Sequence, residues 1–175
     1  MALNKVVKAL KSHSLVLILL VVAGCTVSYK FTGASIDYNK VKTVSMKQFQ
    51  NRAPYQWAPM AAMFNEELND AFVQQTKLQQ VQRGGDLELD GEIVAYDQFN
   101  KSISSSGYSS LVQLKLTVNV RFTNNTNHEE DFERQFSATR DFDASQSLDS
   151  VQEDLVMQMI EEIVESIFNA AVANW

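Results

Sequence analysis

The sequence predicts an α+β fold, with two helices packed on one face of a mostly antiparallel, mixed sheet of about four to five strands. Three observations carry this. Leu111 to Thr123 alternates apolar and polar residues over its whole length. Two runs, Met60 to Thr76 and Ser150 to the C-terminus, place apolar residues at helical spacing instead. The predicted order is β-β-α-(β)-β-β-β-α, in which helices cover one side of a sheet.

From the N-terminus, Lys5, Lys8 and Lys11 precede an apolar run from about Leu15 to Ala23, and no acid interrupts them. This is the basic-then-apolar order of a signal peptide, and it is shorter than the roughly 20 residues a membrane span needs. The run ends Val22-Ala23-Gly24-Cys25, and Cys25 is the single cysteine of the chain. That ending resembles the lipobox of bacterial lipoproteins. The resemblance implies cleavage before Cys25 and a diacylglycerol on its thiol. An ordinary secretory peptide or a buried N-terminal helix are the alternatives.

Residues 26 to 31 read as a short strand that Thr32 to Ser35 breaks. Val41 to Phe49 reads as a second strand of imperfect period, followed by a loop with Pro54, Tyr55 and Trp57. Pro59 suits the first turn of a helix, where its missing N–H costs nothing. Met60, Met63, Phe64, Leu68, Ala71 and Phe72 then share one helical face. Glu66, Glu67, Asn69 and Asp70 share the other. The methionine-bearing stripe is read as core rather than as a partner surface.

Leu78 to Gln82 is a possible short strand, and Arg83-Gly84-Gly85 a turn. Asp86 to Tyr96 reads as a strand with Asp86, Glu88, Asp90 and Glu92 on its wet face. Gln98 to Ser110 is either a hairpin tip or a loop ordered by a partner. In the next strand Val112, Leu114, Leu116, Val118, Val120 and Phe122 face the core. Gln113, Lys115, Thr117, Asn119 and Arg121 face water. Asn124-Asn125 turns the chain into Asp131 to Phe142, an antiparallel partner strand. Ser150-Val151-Gln152-Glu153 has the form of a capping box. Val151, Leu155, Met159, Ile160, Ile163, Val164, Ile167, Phe168, Ala171 and Val172 make the apolar face that follows. Trp175 is expected to anchor that helix end.

Composition narrows the function. Three lysines and no acids leave with residues 1–24, which takes the formal net charge from −6 to −9. So acidic a chain does not suit nucleic acid, nor charge-driven binding to anionic lipid. Membrane attachment then falls to acyl chains. Beyond the signal, His128 stands alone in a polar turn, and no zinc spacing, phosphate-binding loop or nucleophile–base pair is present. No catalytic residue, metal ligand or cofactor is expected.

Several segments together resemble one family. They are Phe31 to Ser35, Gly85 to Ile93, Val120 to Asn124, Asp131 to Glu133 and Phe168 to Trp175. With the lipobox and the element order, the chain is similar to the LptE family of lipopolysaccharide-assembly lipoproteins, and most to its Bacteroidetes-type members. The resemblance implies a single domain over residues 25–175, tethered by Cys25 to the outer membrane and facing the periplasm. It implies an LptD-type β-barrel as partner, with lipopolysaccharide as a possible ligand. Lys101, Lys115 and Arg121 are the basic residues of the central strand–loop region, and so the candidate contacts for partner or lipopolysaccharide. The other reading is a periplasm-facing lipoprotein that binds a soluble ligand near Tyr55, Trp57 and Phe99, or that scaffolds another envelope complex.

Overall fold

Strand β5 (Ser109–Asn124) is the axis of the molecule. Its sixteen residues span about 53 Å at the rise of an antiparallel strand. The computed structural model describes residues 36–103 and 109–172, with the side chains at 102, 103, 109 and 110 left aside. The predicted signal, Cys25, the strand over 26–31, its break at 32–35 and the anchoring role of Trp175 lie outside the described residues.

On one side, β5 pairs antiparallel with β4 (Leu87–Ile103). On the other it pairs antiparallel with β6 (Phe132–Asp143), from Leu111 opposite Asp143 to Phe122 opposite Phe132. The far edge of β4 takes two short parallel strands in tandem, β1 (Thr43–Met46) and β2 (Gln50–Asn51). A three-residue strand, β3 (Gln79–Val81), pairs parallel with β1. The sheet therefore has six strands in the order β3-β1-β4-β5-β6, with β2 beside β4. The parallel pairs make it mixed, and the two long hairpins carry most of its pairing.

Two differences from the sequence reading concern strand ends. The segment expected as one strand over 41–49 is split into β1 and β2. Between them the chain bulges at Phe49, held by Asn65. Asn65 Oδ1 accepts from Phe49 N at 2.8 Å, and its Nδ2 donates to Phe49 O at 2.9 Å. Also, β4 runs on to Ile103 and β5 starts at Ser109, so Gln98 to Ile103 belong to the long β4–β5 pairing and not to a loop. Polar, small residues there hid a ladder whose stability comes from its backbone pairing with β5.

Helix α1 (Met60–Gln75) starts after Pro59 and buries Met60, Phe64, Leu68, Ala71 and Phe72, as its spacing predicts. Thr76 ends it, with Oγ1 donating to Phe72 O at 2.6 Å. Helix α2 (Leu148–Val172) starts two residues before the expected capping box. Ser150 therefore sits inside the helix, where its hydroxyl donates to Ser147 O at 2.7 Å. Its buried face includes Gln152 and Val156, which the sequence reading omitted, while Val151, Leu155 and Ala171 are half-buried. The 152, 156, 159/160, 163 spacing is the signal that was there to be read.

Both helices lie on one face of the sheet. Phe72 and Phe168 join them edge to face at 5.2 Å. Beneath, every core-facing residue of β5 from Val112 to Phe122 is buried, and Leu87, Leu89, Ile93 and Ala138 join them from the flanking strands. This is one continuous core, and burial of this apolar surface is the main term holding the fold. Gly84 takes φ 67° in the turn before β4, a conformation that favours glycine.

Candidate functional site

Among the described residues, no helix covers the other face of the sheet. Strand alternation puts Gln113, Lys115, Thr117, Asn119 and Arg121 of β5 on it, but Thr117, expected to face water, is buried. Register adds Glu88, Asp90, Glu92 and Asp97 from β4, and Glu133, Gln135, Ser137, Thr139 and Asp141 from β6. This is a broad polar surface with a net excess of carboxylates.

The cations on it are mostly committed. Arg121 Nε donates to Glu133 Oε2 at 2.9 Å, and Asn119 Nδ2 donates to the other oxygen at 3.4 Å. The Arg121 bond, then that of Asn119, holds the Glu133 carboxyl below its ordinary range, and the same pairing raises Arg121. Lys101 pairs with Asp141, which also accepts from Gln113 Nε2 at 3.0 Å. Those bonds, Lys101 first, lower the Asp141 carboxyl. Lys47 pairs with Asp90 at 2.8 Å. Lys115 is half-buried between Asp97 and Thr139 in register, and has no hydrogen bond or ion pair among the described residues.

Lys101, Lys115 and Arg121 do not form one cluster. Lys115 and Arg121 are six residues apart on one strand, about 20 Å. Lys101 lies beyond Lys115, near the hairpin end. The three share a face but do not converge on a common ligand, and two of them already balance a carboxylate.

Of the predicted wet-face acids, Glu88, Asp90 and Glu92 do face outward in register with Thr123, Arg121 and Asn119. Asp86 differs. It precedes β4 and works as a staple: its Oδ2 accepts from Lys42 N at 2.8 Å, Thr43 N at 3.0 Å and Thr43 Oγ1 at 2.9 Å. These bonds, the Lys42 amide first, hold its carboxyl below the ordinary range. His128 is an exposed turn residue, with Nδ1 3.0 Å from Asp131 Oδ2. The Asn124 side chain closes the same turn by accepting from Thr126 and Asn127.

Tyr55, Trp57 and Phe99 do not line one cavity. Tyr55 stacks on Tyr96 at 5.6 Å, and both line a cleft of about 360 Å³ with Asp97, Gln98, Leu114 and Leu148. Trp57 lines a separate cleft of about 610 Å³ between the β1–β2 bulge and the start of α1. Phe99 is exposed on the outward face and lines neither. Among the described residues, no group of three or more His, Cys, Asp or Glu could hold a metal ion. No described helix is long and apolar enough to cross a membrane.

A family model described as LptE, lipopolysaccharide-assembly, matches residues 41–171. No curated protein matches the sequence. Among solved structures, a hypothetical protein of Chlamydia trachomatis is 14% identical, with a TM-score of 0.54 over 77% of this chain and 99% of that one. It shares the fold. An uncharacterized lipoprotein B of Nitrosomonas europaea is 17% identical, with a TM-score of 0.49 over 73% of this chain and 79% of that one. The rare lipoprotein B of Shewanella oneidensis is 12% identical, with a TM-score of 0.48 over 72% and 93%.

Proposed function

The chain belongs to the LptE family of lipopolysaccharide-assembly proteins, and from that membership we propose that it is a non-catalytic outer-membrane lipoprotein that partners an LptD-type β-barrel. The observation that carries the reading is the two-sided sheet. One face is closed by α1 and α2, and the other is a polar surface that no described helix covers, on strands about 50 Å long. The lumen of a large membrane barrel is itself polar, behind an apolar belt about 25 Å tall. A rigid polar face of this length suits such a lumen by shape and hydrogen bonding.

In this reading residues 1–24 are removed after Val22-Ala23-Gly24, and Cys25 carries the acyl chains as the tether of a domain over 25–175. Cys25 is eleven residues before Ile36, so the tether reaches at most about 40 Å. Two or three acyl chains hold a domain stably where one does not. Intact mass should show a lipidated chain starting at Cys25, and Cys25→Ala should leave the precursor uncut. A mature chain that starts elsewhere and is unmodified would reject the tether.

The outward face gives the test of partnership. Lys115→Glu with Ser137→Trp changes one charge and adds one bulky ring on that face, leaving the helix-covered core untouched. Copurified barrel and surface lipopolysaccharide should both fall, while the isolated variant keeps its melting temperature. Normal barrel levels and normal surface lipopolysaccharide in cells depleted of the protein would sink the assembly role.

A further inference from the structure

We propose that the cleft beside Trp57 binds an uncharged saccharide ring. The choice of a sugar from lipopolysaccharide rests on the assembly role proposed above, whereas the choice of a saccharide rests on the cleft itself. Among the described residues, no ionisable side chain lines this cleft, although the chain is rich in carboxylates. Phosphates and amines therefore find no counter-charge there.

What the cleft offers is amide chemistry around an aromatic ring. Gln48, Gln50 and Gln56 are exposed on its rim, and their side chains make no hydrogen bond among the described residues. Each amide brings two donors and two acceptor lone pairs. A sugar hydroxyl both donates and accepts, so a ring of hydroxyls can engage all three. Trp57 is half-buried and packs on the core while lining the cleft. An indole combines a large apolar face with a polar edge, which suits the C–H face of a pyranose. Ala61 and Ala62 on α1 keep the space open. The volume, about 610 Å³, lies within the range of about 300–1,000 Å³ for small-ligand sites.

The other ligand that amides could recognise is an extended peptide adding to the edge beyond β2. That edge is blocked. The backbone N–H and C=O of Phe49 are both bonded to the Asn65 amide, so an incoming strand loses the ladder it would need there.

The test uses the full chain with Trp175→Phe. The chain has two tryptophans, so Trp57 becomes the sole indole reporter. The probes are delipidated, dephosphorylated and carboxyl-reduced oligosaccharide from lipopolysaccharide, chitotetraose as a cell-wall-type glycan, and lipid A. Lipopolysaccharide oligosaccharide should shift Trp57 emission saturably. Its affinity should change less than about twofold between about 50 and 500 mM salt, since no ion pair is made. Ala62→Leu fills the cleft from an exposed helix position and should weaken binding about tenfold or more. Gln50→Ala should weaken it about threefold. Circular dichroism on both variants separates occlusion from misfolding. Absence of binding by either neutral glycan, binding unchanged by Ala62→Leu, or displacement of bound sugar by an extended peptide would each overturn the cleft. If neither glycan binds but barrel yield still depends on the protein, the cleft is wrong and the assembly role stands. Chitotetraose binding through Trp57, with normal barrel and lipopolysaccharide in depleted cells, would keep the cleft and reject the assembly role.

Discussion

The ring of Phe49 occupies the space that a side chain at Gly91 would need. A Cβ built on Gly91 meets both Phe49 Cε1 and the backbone oxygen of Asn119. Phe49 comes from the break between β1 and β2, is fully buried, and touches Phe64 of α1 at 5.1 Å between centroids. The bare backbone of β4 thus lets an edge bulge reach into the core and tie the parallel edge to the helix layer.

Gly91→Ala should be strongly destabilising. The Phe49 ring could swing aside, but the Asn119 oxygen belongs to the β5 ladder and cannot yield cheaply. Overpacking of this kind costs about 1–3 kcal/mol, and the backbone clash puts it at the upper end. Thermal unfolding of Gly91→Ala checks it. A melting temperature within a degree of wild type would show that the edge is not packed as described.

Tyr96 and Gln152 form a buried hydrogen bond, Nε2 to Oη at 3.0 Å, with each residue 3% exposed. Burial raises the Tyr96 hydroxyl above its ordinary range, so it stays protonated at neutral pH. Tyr96→Phe leaves a buried amide short of a partner and should cost about 1–3 kcal/mol. Adding Gln152→Leu should recover most of that loss, because both polar ends are then gone. Denaturant unfolding of the two singles and the double tests the coupling. Additive losses would mean that the bond is not made.

Asp86 should give the fold an acid-sensitive contribution. Its carboxyl is held below its ordinary value of 3.8 by the amides and hydroxyl it accepts from. A lowered folded pKa stabilises fully above the unfolded value. The contribution fades as pH falls below about 4 and is gone below the folded value. Asp86→Ala should cost about 1–2 kcal/mol at pH 7, a modest figure because water reaches part of the site. The difference from wild type should shrink at pH 3. A gap independent of pH would place the loss in packing instead.

Glu67 points the other way. Burial first, then Glu161 of α2 and Asp70 and Glu66 of α1, raise its carboxyl above the ordinary 4.5. The folded state therefore binds the proton more tightly than the unfolded chain. Its penalty is absent at low pH, grows as pH rises through 4.5, and is complete above the folded value. Glu67→Gln should raise the melting temperature by a few degrees at pH 7 and leave it nearly unchanged at pH 4. No gain at pH 7 would mean that the α1–α2 acids are fully solvated.

Periodicity carried much of this molecule in advance. Alternation from Val112 to Phe122 sorted β5 into its two faces, because a strand buried on one side must repeat every second residue. The 3.6-residue stripe of α1 was read to within one residue of its ends. Family segments such as Gly85 to Ile93 also proved to be structural: they hold the Asp86 staple and the Gly91 gap. Contacts between segments distant in sequence were not legible. The Asn65 amide bonds a backbone sixteen residues away, Asp86 bonds amides more than forty away, and Gln152 meets a tyrosine fifty-six away. Local pattern has no term for such partners. For the same reason Lys101, Lys115 and Arg121 looked like one basic group on paper. Folding placed Lys101 on β4 and the other two about 20 Å apart on β5, and gave Lys101 and Arg121 carboxylates of β6, since such pairing is set by register between strands and not by residue type.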